Sequence, residues 1–232
     1  LQSRGLDGKQ PFNRRIEDMA AQYIQEIQTV QPKGPYFLVG HCMGGVVALE
    51  MALQLQAQGQ EVALLVLMET YNWGAIPAKT FLDNAYHLIQ LIQFNWGRLL
   101  SGERLFMRRR IDIVEAKIAL LFEMIKSKLG HKFQQGKGQY TLLYQLEKTN
   151  DRAAEHYVPR AVYQGRIIQF LPTKEYAYYD RPESGWDGAA VEGVEICKLP
   201  VYRRQMLVEP FVGLMAEKLK AYIGKALEAK PS

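Results

Sequence analysis

Cysteine is scarce in this chain, which has two in 232 residues, Cys42 and Cys197. They stand far apart and lack metal-ligand spacing, so neither reads as half of a zinc site. A reducing, cytoplasmic setting is favoured over a disulfide framework. Histidine is also scarce, with four copies, His41, His87, His131 and His156. No apolar run approaches membrane-spanning length and no secretory signal pattern opens the sequence, so no membrane partner is expected. Neither sign of charge dominates, because 29 Lys and Arg against 24 Asp and Glu leave a net charge of +5. That balance permits an acidic partner, but the basic residues are too dispersed to indicate nucleic-acid binding. What is present is 48% hydrophobic content with ordinary charge, which suits one soluble globular α/β domain with a sizeable core.

The most informative run is Pro35-Tyr36-Phe37-Leu38-Val39-Gly40-His41-Cys42-Met43-Gly44-Gly45-Val46-Val47-Ala48-Leu49-Glu50. An apolar strand enters Gly-x-Cys-x-Gly and leaves as an amphipathic helix, the context that a nucleophile elbow requires. Such a turn strains its apex residue and brings strand and helix close together, so small residues must flank it. Gly40, Gly44 and Gly45 are expected to fill those places. The Cys42 side chain would then stand at a helix N-terminus, where the macrodipole favours a thiolate or an oxyanion, with the Met43 N–H as one oxyanion donor. The alternative for Cys42 is a buried structural thiol that fills the core as a small hydrophobe.

Three regions separate along the chain. Residues 1–70 read as a loop or strand end, a helix with apolar positions at Ile16, Met19, Ala20, Tyr23, Ile24 and Ile27, the elbow strand and its helix to about Leu55, and a buried strand at 62–68. This β-α-β-α-β alternation implies a parallel sheet with right-handed crossovers whose functional edge lies at the strand C-termini. Glu69 falls on that edge with Cys42; its alternative is a solvated loop acid.

Residues 71–155 break the alternation. Apolar residues from Tyr86 to Trp96 and from Ile111 to Ile125 repeat at helical spacing. A helical insertion at this edge would act as a lid, with an apolar inner face suited to a hydrophobic acyl chain; the alternative is a helical stripe that merely packs on the core. Its basic residues, Arg108-Arg109-Arg110 with Lys126, Lys128, Lys132 and Lys137, read as a solvated face or a contact for an acidic partner. Residues 156–232 return to α/β, with strands at 165–170 and 194–199 and a closing helix at 210–226. The loop 200–207 falls on the functional edge, where an α/β-hydrolase places its catalytic histidine. It contains none.

Several motifs in order carry a family resemblance: Leu1-Gln2-Ser3-Arg4-Gly5-Leu6-Asp7-Gly8, Ile16-Glu17-Asp18-Met19-Ala20, the elbow, Tyr157-Val158-Pro159, Tyr163-Gln164-Gly165, Gly185-Trp186, and Met206-Leu207-x-Glu209-Pro210. Together they resemble the thioesterase domain that terminates nonribosomal peptide and polyketide synthases. The resemblance covers most of the chain except the lid. It implies a single α/β-hydrolase domain over 1–232, a mostly parallel sheet with helices on both faces, and 71–155 as a helical lid insertion. It further implies an acyl or peptidyl carrier-protein domain as partner, whose phosphopantetheine arm delivers a hydrophobic acyl or peptidyl thioester, with no permanently bound cofactor and no metal. Release would be by hydrolysis or cyclisation. The family also has upstream strands and a Pro-x-Gly-Gly-like loop carrying the second oxyanion N–H; this sequence starts after both, so those strands are expected either to lie outside this sequence or to be lost from the fold.

Carried over residue by residue, the family's nucleophilic Ser matches Cys42 and its acid matches Glu69, with Asp180 as a fallback after the next strand. The Pro-Gly-Asp/Asn-His-x-x-Met-Leu motif matches Pro200-Val201-Tyr202-Arg203-x-x-Met206-Leu207, which puts Arg203 where the catalytic His should be. A guanidinium stays protonated and cannot serve as general base, although it can favour a thiolate at Cys42 or pair with Glu69. A thiolate needs less activation than a hydroxyl, so acylation of Cys42 stays feasible while deacylation by water lacks its base. His41 points away from the elbow in such a turn and reads as a packing residue. His87 and His131 fall in the insertion, and His156 would reach Cys42 only through a lid movement. Two readings stay open: a thioesterase-like enzyme using Cys42 as covalent acyl acceptor, and a degenerate binding or docking module without turnover.

Overall fold

The computed structural model describes residues 1, 3–6, 10–72, 74, 138–174, 185–202 and 206–228. Within them, four strands form a parallel sheet in the order β1 (Tyr36–His41), β2 (Val62–Met68), β3 (Ile167–Lys174) and β4 (Val194–Tyr202). Helices α1 (Ile16–Val30) and α2 (Met43–Ala57) connect β1 to its surroundings, α3 (Gly138–Glu155) precedes β3, and α4 (Val212–Glu228) follows β4.

The sheet is covered on both faces, and β2 shows how the sequence achieves this. Its residues are apolar throughout, because alternate side chains serve two cores. Leu65 and Leu67 join Ile16, Met19, Ile24, Val46 and Leu49 beneath α1 and α2. Leu64, Val66 and Met68 join Phe170, Val201 and Met215 beneath α4. The α/β-hydrolase arrangement of a parallel sheet between helical layers is therefore present.

Helix α1 buries Ile16, Met19, Ala20 and Ile24 and leaves its other side to solvent, as its spacing predicts. Helix α2 departs from the amphipathic expectation. It is buried along one continuous stretch from Val46 to Ala52, because the sheet covers one side and α1 and the segment after α3 cover others. Glu50 sits inside that stretch at 7% exposure. Its carboxylate accepts hydrogen bonds from Tyr157 Oη at 2.7 Å and Gln54 Nε2 at 2.8 Å, and Gln54 also donates to the Glu17 carbonyl at 3.0 Å. A buried carboxylate is tolerated because its oxygens have donors.

Three boundaries differ from the sequence reading. β3 starts two residues later than expected and runs on to Lys174, while β4 continues past Leu199 to Tyr202, because Val201 is fully buried and Lys174 pairs with Tyr202. Pro200, Val201 and Tyr202 thus belong to the strand rather than to the loop after it. The closing helix starts at Val212, two residues beyond Pro210. Of the segment 71–155, α3 is helical, and it buries Leu146, Ala153 and Ala154. The apolar repeats between Tyr86 and Ile125, the basic residues from Arg108 to Lys137, and His87 and His131 lie outside the described residues.

Burial, and then the Glu50 carboxylate, raise the Tyr157 phenol far above its ordinary range, so Tyr157 remains a neutral donor. Removing that donor with Tyr157→Phe is expected to destabilise the protein by ~1–3 kcal/mol, read as a lower urea midpoint at unchanged slope. An unchanged midpoint would show that the buried pair contributes nothing to stability.

Candidate active site

The elbow forms as the glycine pattern requires. Cys42 has φ 54° and ψ −125°, a left-handed strained conformation for a residue with a side chain. Three hydrogen bonds hold it. Its N–H donates to the Met68 carbonyl at 2.9 Å, and its own carbonyl accepts from the Gly45 N–H at 3.0 Å. Thr70 Oγ1 lies 3.2 Å from the Cys42 carbonyl and 3.0 Å from the Met68 carbonyl, sharing its single proton between them. The thiol itself is exposed. It stands at the head of the 15-residue helix α2, where the dipole and the unsatisfied first-turn N–H groups favour negative charge. Met43 is the first residue of that helix, so its N–H is one of those first-turn groups.

Two of the three glycines are required by space. A Cβ on Gly40 would collide with the backbone of Gly44 and with Gly45 Cα at 2.5 Å, and one on Gly45 would collide with Thr70, whose Cβ and Cγ2 would be at 2.8 Å. Gly44 differs, since a Cβ there would meet nothing within 4 Å among the described residues. The close approach at Gly44 is made by its backbone against Gly40, not by its own α-carbon position.

Glu69 lies on the neighbouring strand end. His41 and Met68 are register partners, so Cys42 and Glu69 are the first residues beyond two adjacent parallel strands. Glu69 also has a positive φ, 45°, and its N–H donates to the Phe170 carbonyl at 2.9 Å. At 4% exposure it is not a solvated loop acid. The residue after it fixes the turn, because the Thr70 carbonyl accepts Gln169 Nε2 at 2.7 Å and Trp186 Nε1 at 3.0 Å. Thr70, Gln169 and Trp186 are all fully buried.

Arg203 and Asp180 lie outside the described residues. His41 ends β1, half-buried. His156 is exposed just past α3, with Nδ1 donating to the Arg152 carbonyl at 2.8 Å, and it faces a cleft bounded by Arg14, Arg15 and Arg160. No described contact joins it to Cys42. Sequence reasoning did not find Thr70, Gln169 or Glu50. Trp186 and Tyr157 appeared only as parts of motifs, without a role. Among the described residues no cluster of His, Cys, Asp and Glu could hold a metal, and no helix is long and apolar enough to cross a membrane.

A parallel sheet covered by helices on both faces, with a strained apex residue between strand and helix at its C-terminal edge, defines an α/β-hydrolase. The chain belongs to the thioesterase-domain family, whose pattern it matches over residues 1–155. Among curated relatives, it is 47% identical over 92 residues to a dimodular nonribosomal peptide synthase of Bacillus subtilis, covering 40% of this chain and 4% of that protein. It is 39% identical over 70 residues to the polyketide synthase PksR of the same organism, covering 30% of this chain and 3% of that protein. The chain thus spans a small fraction of these relatives. Among solved structures, the NocB thioesterase domain in covalent complex with a fluorophosphonate nocardicin G analogue superposes with TM-score 0.62 at 22% identity, over 96% of this chain and 81% of that one. ClbQ, from the colibactin pathway, gives 0.63 at 16% identity over 99% and 86%. At such identities these two likenesses establish the fold.

Two outcomes test the site. Gly45→Ala is expected to destabilise by ~1–3 kcal/mol through overpacking against Thr70, whereas Gly44→Ala is expected to stabilise by up to ~1 kcal/mol through helix propensity. Equal effects in thermal unfolding would contradict the placement of the elbow. For the thiols, burial raises the Cys197 pKa, with Lys218 opposing in part. Cys197 therefore holds less thiolate at any given pH and alkylates only as pH rises beyond the ordinary thiol range. Iodoacetamide at neutral pH should label Cys42 first, checked by peptide mass spectrometry; first labelling at Cys197 would contradict this.

Proposed function

We propose that this domain accepts an acyl or peptidyl chain from the phosphopantetheine arm of a carrier-protein domain onto Cys42, for release or transfer. The observation that carries the reading is the exposed Cys42 thiol at a positive-φ apex on the N-terminus of α2. A scaffold has no need to hold an exposed thiol in strained backbone. The family membership and the synthase relatives support the choice of substrate class, and in this reading the segment 71–155 serves as a lid over the acyl chain.

In the first step the Cys42 thiolate attacks the thioester carbonyl. The Met43 N–H donates to the oxyanion, the carbon–sulfur bond to pantetheine breaks, and the departing pantetheine sulfur takes up a proton. An acyl–Cys42 thioester results. In the second step a nucleophile attacks that thioester and Cys42 is regenerated. With Arg203 at the position of the family histidine, no general base serves water there, so hydrolysis is slow. An amine arriving unprotonated needs less assistance and gives an amide. Glu69 takes the position of the family acid, and an ion pair with Arg203 is its role in this scheme.

Intact-protein mass spectrometry after mixing with an acyl-pantetheine thioester tests the reading. A persistent acyl adduct that disappears in Cys42→Ala is expected, and Arg203→His should shorten its lifetime by restoring a base. Saturable carrier binding without any adduct would favour a docking module instead.

A further inference from the structure

Beside α1 and the segment after α3 lies an open cleft of about 800 Å³. Its floor includes Ile16, Ala153 and Tyr157, all buried, and its rim carries Arg14, Arg15, Arg152 and Arg160 with the single carboxylate Glu17. Glu17 is already engaged, at 2.8 Å from Arg15 and 3.6 Å from Arg160, and Arg15 holds its carboxyl below the usual range. Arg14 and Arg152 have no ion-pair partner among the described residues, and both are exposed. Four guanidinium groups around one carboxylate form a positively charged surface built from planar, bidentate donors suited to carboxylates. The arginines are exposed rather than enclosed, and Val158, at 69% exposure, lies in the same lining. Exposed arginine beside an exposed apolar side chain fits a protein surface better than a small-molecule pocket.

The cleft is also tied to the nucleophile helix. Tyr157, on its floor, donates to Glu50, which is eight residues along α2 from Cys42, about 12 Å by helical rise. The floor of the cleft is thus one hydrogen bond from the helix that carries the thiol.

We propose that this cleft is the docking site for a carrier-protein domain, which presents acidic side chains to Arg14 and Arg152. The proposal rests on the function proposed above for its choice of partner. Charge complementarity sets the encounter and the orientation, as is usual for rim charges.

The test measures binding of a fluorescently labelled holo-carrier domain of a nonribosomal peptide synthase to the full chain. Wild type is compared with the double variants Arg14→Glu/Arg152→Glu and Arg14→Gln/Arg152→Gln, and with Lys220→Glu on α4 as a control on the opposite face. Binding is expected to weaken as salt rises, to fall by about tenfold or more with the Glu pair, to fall less with the Gln pair, and to be unchanged in Lys220→Glu. Absence of binding in the wild type, or equal affinity in all four proteins, overturns the proposal. Cys42 acylation by a free octanoyl-pantetheine thioester is followed in the same proteins. Its rate is expected to be unaffected by the arginine changes; a rate that falls as far as carrier binding does overturns the docking role. Arginine-dependent binding without any acylation upholds the docking site and sinks the covalent reading of Cys42.

Discussion

The Thr70 hydroxyl lies between the carbonyls of Cys42 and Met68, at 3.2 and 3.0 Å, and much of the sheet edge depends on that position. Through its side chain Thr70 ties the apex of the elbow to the end of the next strand. Through its main-chain carbonyl it receives the buried donors of Gln169 and Trp186, which reach it from β3 and from the loop before β4. Two residues with positive φ, Cys42 and Glu69, flank this hub. Strain of that kind costs roughly 1–3 kcal/mol per residue and persists only where the surroundings over-determine it. Here the surroundings are a fully buried threonine and the absence of a side chain on Gly45.

The same constraint sets what the apex can present. Backbone geometry, not the identity of the apex atom, places the Cys42 side chain at the head of α2. In the scheme proposed above the two altered positions act on different steps: a thiolate at Cys42 lowers the demand for a general base at acylation, whereas Arg203 in place of an imidazole bears on deacylation, where water must be activated.

Much of the fold was legible in the sequence because its signals are local. The seven apolar residues of β2 and the i, i+3, i+4 spacing in α1 require no tertiary knowledge. Gly40 and Gly45 were legible for the same reason, since a tight turn announces itself in consecutive residues. Gly44 lies in the same close approach through its backbone, but sequence does not distinguish a glycine required at its own α-carbon from one that lies beside such a position. The burial of α2 was missed because its far side is covered by residues over 100 positions later, such as Tyr157. Thr70 escaped notice for a similar reason: its partners Cys42, Gln169 and Trp186 are distant in sequence, and a threonine after a strand carries no pattern of its own. The strand residues 200–202 read as loop because Pro200 interrupts the apolar run, while pairing with β3 continues past it.

The central claim is that Thr70 holds the elbow in its strained geometry, and, with Cys42 as the proposed acyl acceptor, the most direct measurement is the rate of Cys42 acylation in Thr70→Val and Thr70→Ser. Valine keeps the shape and removes the hydroxyl, while serine keeps the hydroxyl. The rate is expected to fall by about tenfold or more in Thr70→Val, equivalent to about 1.4 kcal/mol, and to stay near wild type in Thr70→Ser. A folded Thr70→Val protein that acylates as fast as wild type would contradict the account.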